Sequence, residues 1–218
     1  MSKPYTLEQI GIGRIIAVLV IDRVENSVPL AKALIEGGVN AMELTLRTDA
    51  AIGSLRAIRA EVPEMIAGIG TILTANQIRE VCLAGAAFGV APGVNRKVIE
   101  EARALGLPFA PGVVTPSDVE KALEYDLRVL KFFPAEPSGG LPYLKSMNAP
   151  YAHLNLKYIP LGGVNLQNMR NYLEDPIILA IGGSWLADSK LIQKQDWKAI
   201  TENAHQATEI AREISAGR

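Results

Sequence analysis

The chain has 218 residues, 49% hydrophobic and 21% charged, an ordinary globular composition that excludes a disordered chain. Lys and Arg number 22 against 23 Asp and Glu, a net charge of -1, which argues against a nucleic-acid or anionic-membrane partner but leaves room for a local basic pocket. One cysteine excludes an internal disulfide and a four-thiolate zinc site, and the two histidines, His153 and His205, show no metal-ligand spacing.

At the N-terminus, MSKPYTLEQI carries Lys3 and Glu8 and no signal-like hydrophobic segment. No apolar run approaches the ~20 residues that span a bilayer. The expectation is a soluble cytoplasmic protein. Residues 7–11 read as a short leading helix. Eight short apolar runs then follow: 15–21 (IIAVLVI), 41–46 (AMELTL), 65–69 (MIAGI), 86–90 (AAFGV), 108–110 with its neighbours, 127–133 (LRVLKFF), 156–159 (LKYI) and 177–181 (IILAI). Such runs read as parallel strands buried on both faces. Between them, 28–38, 50–62, 75–85 and 97–106 carry apolar residues at helical spacing, several ending in Gly, which tolerates a left-handed cap. Thr74, Asn95, Ser117 and Asn165 stand at N-cap positions. Residues 197–215 read as a closing helix.

Eight strand–helix units predict an α/β fold, a single closed (β/α)₈ TIM barrel with additional terminal helices, one domain over 1–218. An open doubly wound sheet is the runner-up, weakened because no G-x-G-x-x-G turn follows the first strand.

Function in a barrel sits at the C-terminal strand ends, and four segments there carry residues that are costly to bury. In 42–48 (MELTLRT), alternation puts Glu43, Thr45 and Arg47 on one face and Met42, Leu44 and Leu46 on the other. The polar face then points into the barrel as an acid–base site, or as a merely structural Glu–Arg pair. In 67–73 (AGIGTIL), Thr71 follows two glycines that allow close ligand approach, although those residues alone favour a plain strand-to-helix turn. In 129–134 (VLKFFP), Lys131 interrupts an apolar strand. Burying an ammonium is costly, and a lysine held uncharged is a nucleophile toward ketones. The alternatives are an inert pair with Glu43 or a side chain that snorkels to solvent. Finally, 160–164 (PLGGV) and 181–185 (IGGSW) are glycine turns after the seventh and eighth strands. Their backbone N–H groups and the helix N-termini that follow would form an anion site, unless they are two unrelated tight turns. Cys82 reads as core, His153 and His205 as surface, Trp185 as packing beneath the second turn and Trp197 as an anchor of the last helix.

The set MELTLRTDAAI, AGIGTILTANQ, AGAAFGVAPGVN, PGVVTPSD, LKFFPAEPSGG, PLGGVN and IGGSWL, in this order, resembles the 2-keto-3-deoxy-6-phosphogluconate (KDPG) and 4-hydroxy-2-oxoglutarate aldolase family over about residues 15–186. The resemblance implies a (β/α)₈ barrel, usually a homotrimer, acting as a metal-independent class I aldolase without cofactor on a small 2-keto acid or phosphosugar acid. It implies Lys131 as the Schiff-base lysine and Glu43 as the proton-shuttling carboxylate. It implies Arg47 and Thr71 as holders of the substrate carboxylate, Pro92 as a pocket wall, and Gly162, Gly163 and Ser184 as phosphate binders. Two departures stand out: Leu161 where the family often has Thr, and Ala91 where many members have Ser. Both bear on substrate preference, including the galactonate epimer of KDPG. The competing readings are a phosphosugar isomerase or synthase that uses no imine, and a non-catalytic phosphosugar-binding barrel.

Overall fold

The computed structural model describes residues 6–217. Nine strands are present: β1 (Ile15–Leu19), β2 (Ala41–Thr45), β3 (Ile66–Gly70), β4 (Gly89–Val90), β5 (Phe109–Ala110), β6 (Gly112–Val113), β7 (Val129–Phe132), β8 (Lys157–Pro160) and β9 (Ile181–Gly183). The helices are α1 (Leu7–Ile10), α2 (Ser27–Glu36), α3 (Ala50–Glu61), α4 (Ala75–Leu83), α5 (Arg96–Ala104), α6 (Pro116–Leu123), α7 (Gly140–Asn148), α8 (Met169–Glu174), α9 (Ser189–Lys194) and α10 (Trp197–Ala216). All strand pairs are parallel, as strand–helix alternation requires.

The strands form two curled sheets, ordered β5-β4-β3-β2-β1-β9 and β6-β7-β8. The expected uninterrupted eight-strand ladder is thus replaced by two ladders. The fifth predicted strand is divided at Pro111, which has no N–H to donate; its carbonyl still accepts from Lys131 N at 2.9 Å. The eighth predicted strand, 177–181, moves to Ile181–Gly183, leaving Ile178 as an isolated bridge to Tyr158. A second isolated bridge joins Leu161 to Gly182.

Alternation along the strands sorts the core into two clusters. Met42, Leu44, Ala67, Ile69, Leu130, Phe132 and Tyr158 point outward and pack with the helices. Ile16, Ala41, Ile66, Val129 and Ile159 point inward and are joined by Ile10 of α1, which covers the N-terminal strand ends. Burial of these apolar side chains is the main force holding the helices to the sheets.

The helix starts follow local chemistry. Thr74 accepts from Gln77 N at 3.3 Å, and Gln77 returns a bond from its side chain, a capping box. Asn95 caps α5 by accepting from Lys97 N at 3.1 Å. Ser117 is not the cap of α6: Thr115 is, and it accepts from Asp118 N, because Pro116 fits the first helical position where no N–H is needed. Asn165 heads a turn and accepts from Gln167 N at 2.9 Å, but α8 begins only at Met169. Cys82 is half-buried on α4 beside the outer cluster, and burial pushes its thiol up. His153 and His205 are exposed. Trp197 starts α10 and packs against the outer cluster, as expected of an anchor. Among the described residues no helix is long and apolar enough to cross a membrane.

Candidate active site

The sheets place polar side chains at their C-terminal ends, where the inward rows run out of apolar residues. On β2, Glu43 is level with Val18 of β1 and Gly68 of β3, and Thr45 is level with Gly70. On β7, Lys131 is level with Gly112 and Ile159. Curling brings these two strands face to face, and Lys131 Nζ lies 3.3 Å from Glu43 Oε1 although 88 residues separate them. Both are buried, Glu43 at 2% and Lys131 at 6% exposure. The Lys131 amine also sits 5.2 Å from the centre of the Phe133 ring, within cation–π range.

The separation bears on whether the pair is only structural. Tight charge-assisted N–H···O bonds close to about 2.7–2.9 Å. At 3.3 Å the amine and carboxylate are within reach but not locked, and the two groups share one wall of an opening.

That opening is a cavity of ≈ 220 Å³. Every residue the sequence reading nominated lines it: Glu43, Arg47, Thr71, Pro92, Lys131, Gly162, Gly163 and Ser184. Arg47 follows β2 and is exposed, and no ion pair among the described residues holds its guanidinium. Thr71 follows β3 half-buried with φ 60°, a left-handed conformation that is uncommon for a β-branched residue. Thr45 is already satisfied, donating to Leu19 O at 3.0 Å.

The two glycine turns lie side by side. Gly162 and Gly163 have φ of 96° and 85°. The helices that follow, α8 and α9, are six residues each and begin at Met169 and Ser189, so the donors at the turns are loop N–H groups, not the helix N-termini the sequence led us to expect. Trp185 is half-buried after the second turn with its indole against Gly183, as expected.

Sequence reasoning pointed to Phe133 as a desolvating neighbour of Lys131, but it did not single out Val18 or Val20, which line the cavity, or the relation of Gly70 to Glu43. Val18 was legible from alternation with Ile16. Gly70 was not, because its role depends on where the Glu43 side chain turns. Among the described residues no cluster of His, Cys, Asp and Glu could hold a metal ion.

The family model described as "KDPG and KHG aldolase" matches residues 7–203. The chain belongs to that aldolase family. It is 40% identical over 200 residues to the KHG/KDPG aldolase of Escherichia coli (strain K12), covering 92% of this chain and 93% of the relative. A crystal structure of KDPG aldolase from Legionella pneumophila, with pyruvate captured at low pH as a covalent carbinolamine intermediate, superposes with a TM-score of 0.87 at 34% identity, covering 91% of this chain and 96% of that one. The KDPG aldolase of Zymomonas mobilis ZM4 with 3-phosphoglycerate gives a TM-score of 0.85 at 37% identity, covering 91% and 92%.

Proposed function

We propose that this chain is a class I aldolase that cleaves KDPG to pyruvate and glyceraldehyde 3-phosphate, and 4-hydroxy-2-oxoglutarate to pyruvate and glyoxylate. The observation that carries the reading is the buried Lys131–Glu43 pair at 3.3 Å inside a cavity that also holds Arg47 and two glycine turns. The pyruvate carbinolamine in the Legionella relative supports it.

The uncharged amine of Lys131 attacks the C2 ketone, and the carbinolamine hydroxyl, protonated from solvent, leaves as water to give an iminium. The iminium withdraws electrons from C3. Glu43 takes the proton of the C4 hydroxyl, the C3–C4 bond breaks, and its electron pair forms the enamine while C4 leaves as an aldehyde. Protonated Glu43 returns a proton to C3, and water then hydrolyses the pyruvate iminium, restoring Lys131. Arg47, whose guanidinium can pair bidentately with a carboxylate, and the Thr71 hydroxyl hold the keto-acid end. Pro92 walls the pocket. The loop N–H groups around Gly162 and Gly163, with Ser184, take the phosphate.

We extend this reading to the whole chain. The two sheets and the isolated bridges at Ile178 and Gly182 support one closed (β/α)₈ barrel spanning 1–218 as a single domain. The family resemblance supports a cytoplasmic homotrimer without metal or cofactor, acting on small molecules and not on nucleic acid or membranes.

Reduction with sodium borohydride in the presence of pyruvate tests the covalent step. The expected result is a stable pyruvate-derived adduct mapped to Lys131. An unmodified Lys131 under those conditions would remove the imine from the mechanism. A coupled pyruvate-release assay with KDPG, its galactonate epimer and 4-hydroxy-2-oxoglutarate then ranks the substrates.

A further inference from the structure

Outside the catalytic cavity, a second cluster braces the first glycine turn. All three carbonyls of the turn are tied back to protein. Leu161 O accepts from Ala135 N at 2.8 Å, and Gly162 O accepts from Glu136 N at 2.9 Å. Gly163 O accepts from the side-chain amides of Asn165 and Asn168 at 3.2 and 3.1 Å. With its carbonyls held this way, the turn has little freedom to rotate its N–H groups.

Glu136 is the center of this bracing. It lies five residues after Lys131, on the segment that leaves β7. Its stem presses against the turn: a Cβ at Gly163 would come 2.6 Å from Glu136 Cβ and 2.8 Å from its Cγ. Its carboxylate accepts a hydrogen bond from the Tyr172 hydroxyl. Tyr172 stands on α8, 2% exposed, on the stretch of chain that continues from the turn itself. Burial, and then the bond to Glu136, push the Tyr172 phenol well above its ordinary range, so it remains a donor. Glu136 does not line the catalytic cavity; it faces a separate cleft with Gly140, Asn168 and Tyr172.

We propose that Glu136, locked by Tyr172, is a positioning residue that fixes the Gly162–Gly163 turn at a set distance from Lys131, so that the phosphate end of a substrate is seated when its ketone reaches the amine. The proposal rests on the aldolase reading above and deepens it. A ruler of this kind matters only to a substrate that carries a phosphate. The unphosphorylated hydroxy-oxoglutarate and pyruvate itself need Lys131 but not the turn.

The test is Tyr172→Phe, with Glu136→Gln as the conservative variant whose amide oxygen can still accept from the phenol. Tyr172→Phe should raise KM for KDPG about tenfold, the size expected for losing one hydrogen bond to a charged acceptor. Its kcat on 4-hydroxy-2-oxoglutarate and its rate of borohydride trapping with pyruvate should stay at wild-type levels. Glu136→Gln should recover most of the KM. Equal losses on both substrates with a lowered Tm would reduce the pair to a fold support and overturn the proposal, as would no change on either. Calorimetric titration with inorganic phosphate gives a readout independent of catalysis: Tyr172→Phe should weaken its binding by a similar factor, and unchanged phosphate binding overturns the proposal. Failure of the wild-type protein to trap pyruvate would instead sink the aldolase reading, while the phosphate titration still decides the role of Glu136.

Discussion

Gly70 vacates the space that the Glu43 carboxylate fills: a Cβ at position 70 would overlap that carboxylate and come 2.7 Å from its Cγ. The two residues are on neighbouring parallel strands, with Gly70 paired to Thr45, two residues beyond Glu43. A side chain on β3 at this level would push Glu43 away from Lys131, so glycine here sets the geometry of an acid–base group on another strand.

Gly70→Ala should therefore separate the two chemical roles. Iminium formation at Lys131 continues, because the lysine and its strand are untouched. Proton transfer by Glu43 is impaired, and general acid–base catalysis of this kind contributes ~10²–10⁴-fold. The expected outcome is a fall in kcat of about a hundredfold or more, with borohydride trapping of pyruvate retained. Steady-state kinetics beside mass spectrometry of the trapped protein checks both halves. Wild-type kcat in Gly70→Ala would mean that the position of Glu43 does not limit turnover.

Lys131→Ala and Glu43→Gln differ in both activity and stability. Lys131→Ala abolishes cleavage and trapping. It also leaves the Glu43 carboxylate, 2% exposed, without the amine that donates to it, and a buried acceptor left unsatisfied costs about 1–3 kcal/mol. Glu43→Gln keeps an oxygen within reach of Lys131, so trapping persists while the proton steps slow. Urea denaturation of the two variants should show Lys131→Ala as the less stable.

Much of this candidate site was legible in the sequence, and the reason is specific. A lysine in VLKFFP and a glutamate in MELTLRT are costly to bury, so they stand out against apolar strands in a way that Val18 or Gly70 cannot. Alternation correctly sorted Glu43 and Thr45 from Met42 and Leu44, because period-two patterning is a local property. What stayed hidden depends on tertiary distance. That Gly70 yields to a side chain of β2 and that Glu136 buttresses Gly163 are facts about segments brought together by folding, whereas the meeting of Lys131 with Glu43 was among the readings the sequence offered. The division of the fifth strand at Pro111 was readable from proline's missing N–H. The cap of α6 was misplaced by two residues for the opposite reason: Ser117 is a good cap by type, but Pro116 claims the first helical position and hands the cap to Thr115.

Tyr158 gives the fold an alkaline limit. Its ring is 0% exposed, its hydroxyl donates to Asn148 Oδ1 at 2.9 Å, and burial drives the phenol well above its ordinary value near 10. A folded-state value raised above the unfolded one gives stability that is fully present below about pH 10 and is lost as pH rises toward the folded value, since the unfolded chain releases the proton first. Urea midpoints should be flat with respect to this group from pH 7 to 9 and fall above about pH 10. Tyr158→Phe should lessen the alkaline fall while lowering stability at neutral pH by the lost bond to Asn148, about 1 kcal/mol. An alkaline fall identical in the variant would assign it to other groups.

Leu161 bears on which substrate the site prefers. Its backbone is held at both ends, its N–H donating to Phe132 O at 2.9 Å and its carbonyl accepting from Ala135 N at 2.8 Å. The side chain alone is then free to differ, and it lines the cavity beside Gly162 and Gly182. An apolar side chain offers no hydroxyl to the middle of a phosphosugar acid, and it costs nothing to a shorter keto acid that has no hydroxyl there. Leu161→Thr should therefore raise kcat/KM for KDPG relative to that for 4-hydroxy-2-oxoglutarate, by roughly fivefold to tenfold for one added hydrogen bond of about 1 kcal/mol or slightly more. It should also lower Tm, because a residue only 4% exposed loses apolar burial. Parallel assays on the two substrates decide it: a ratio that stays put while Tm drops would make Leu161 a packing residue with no part in selection.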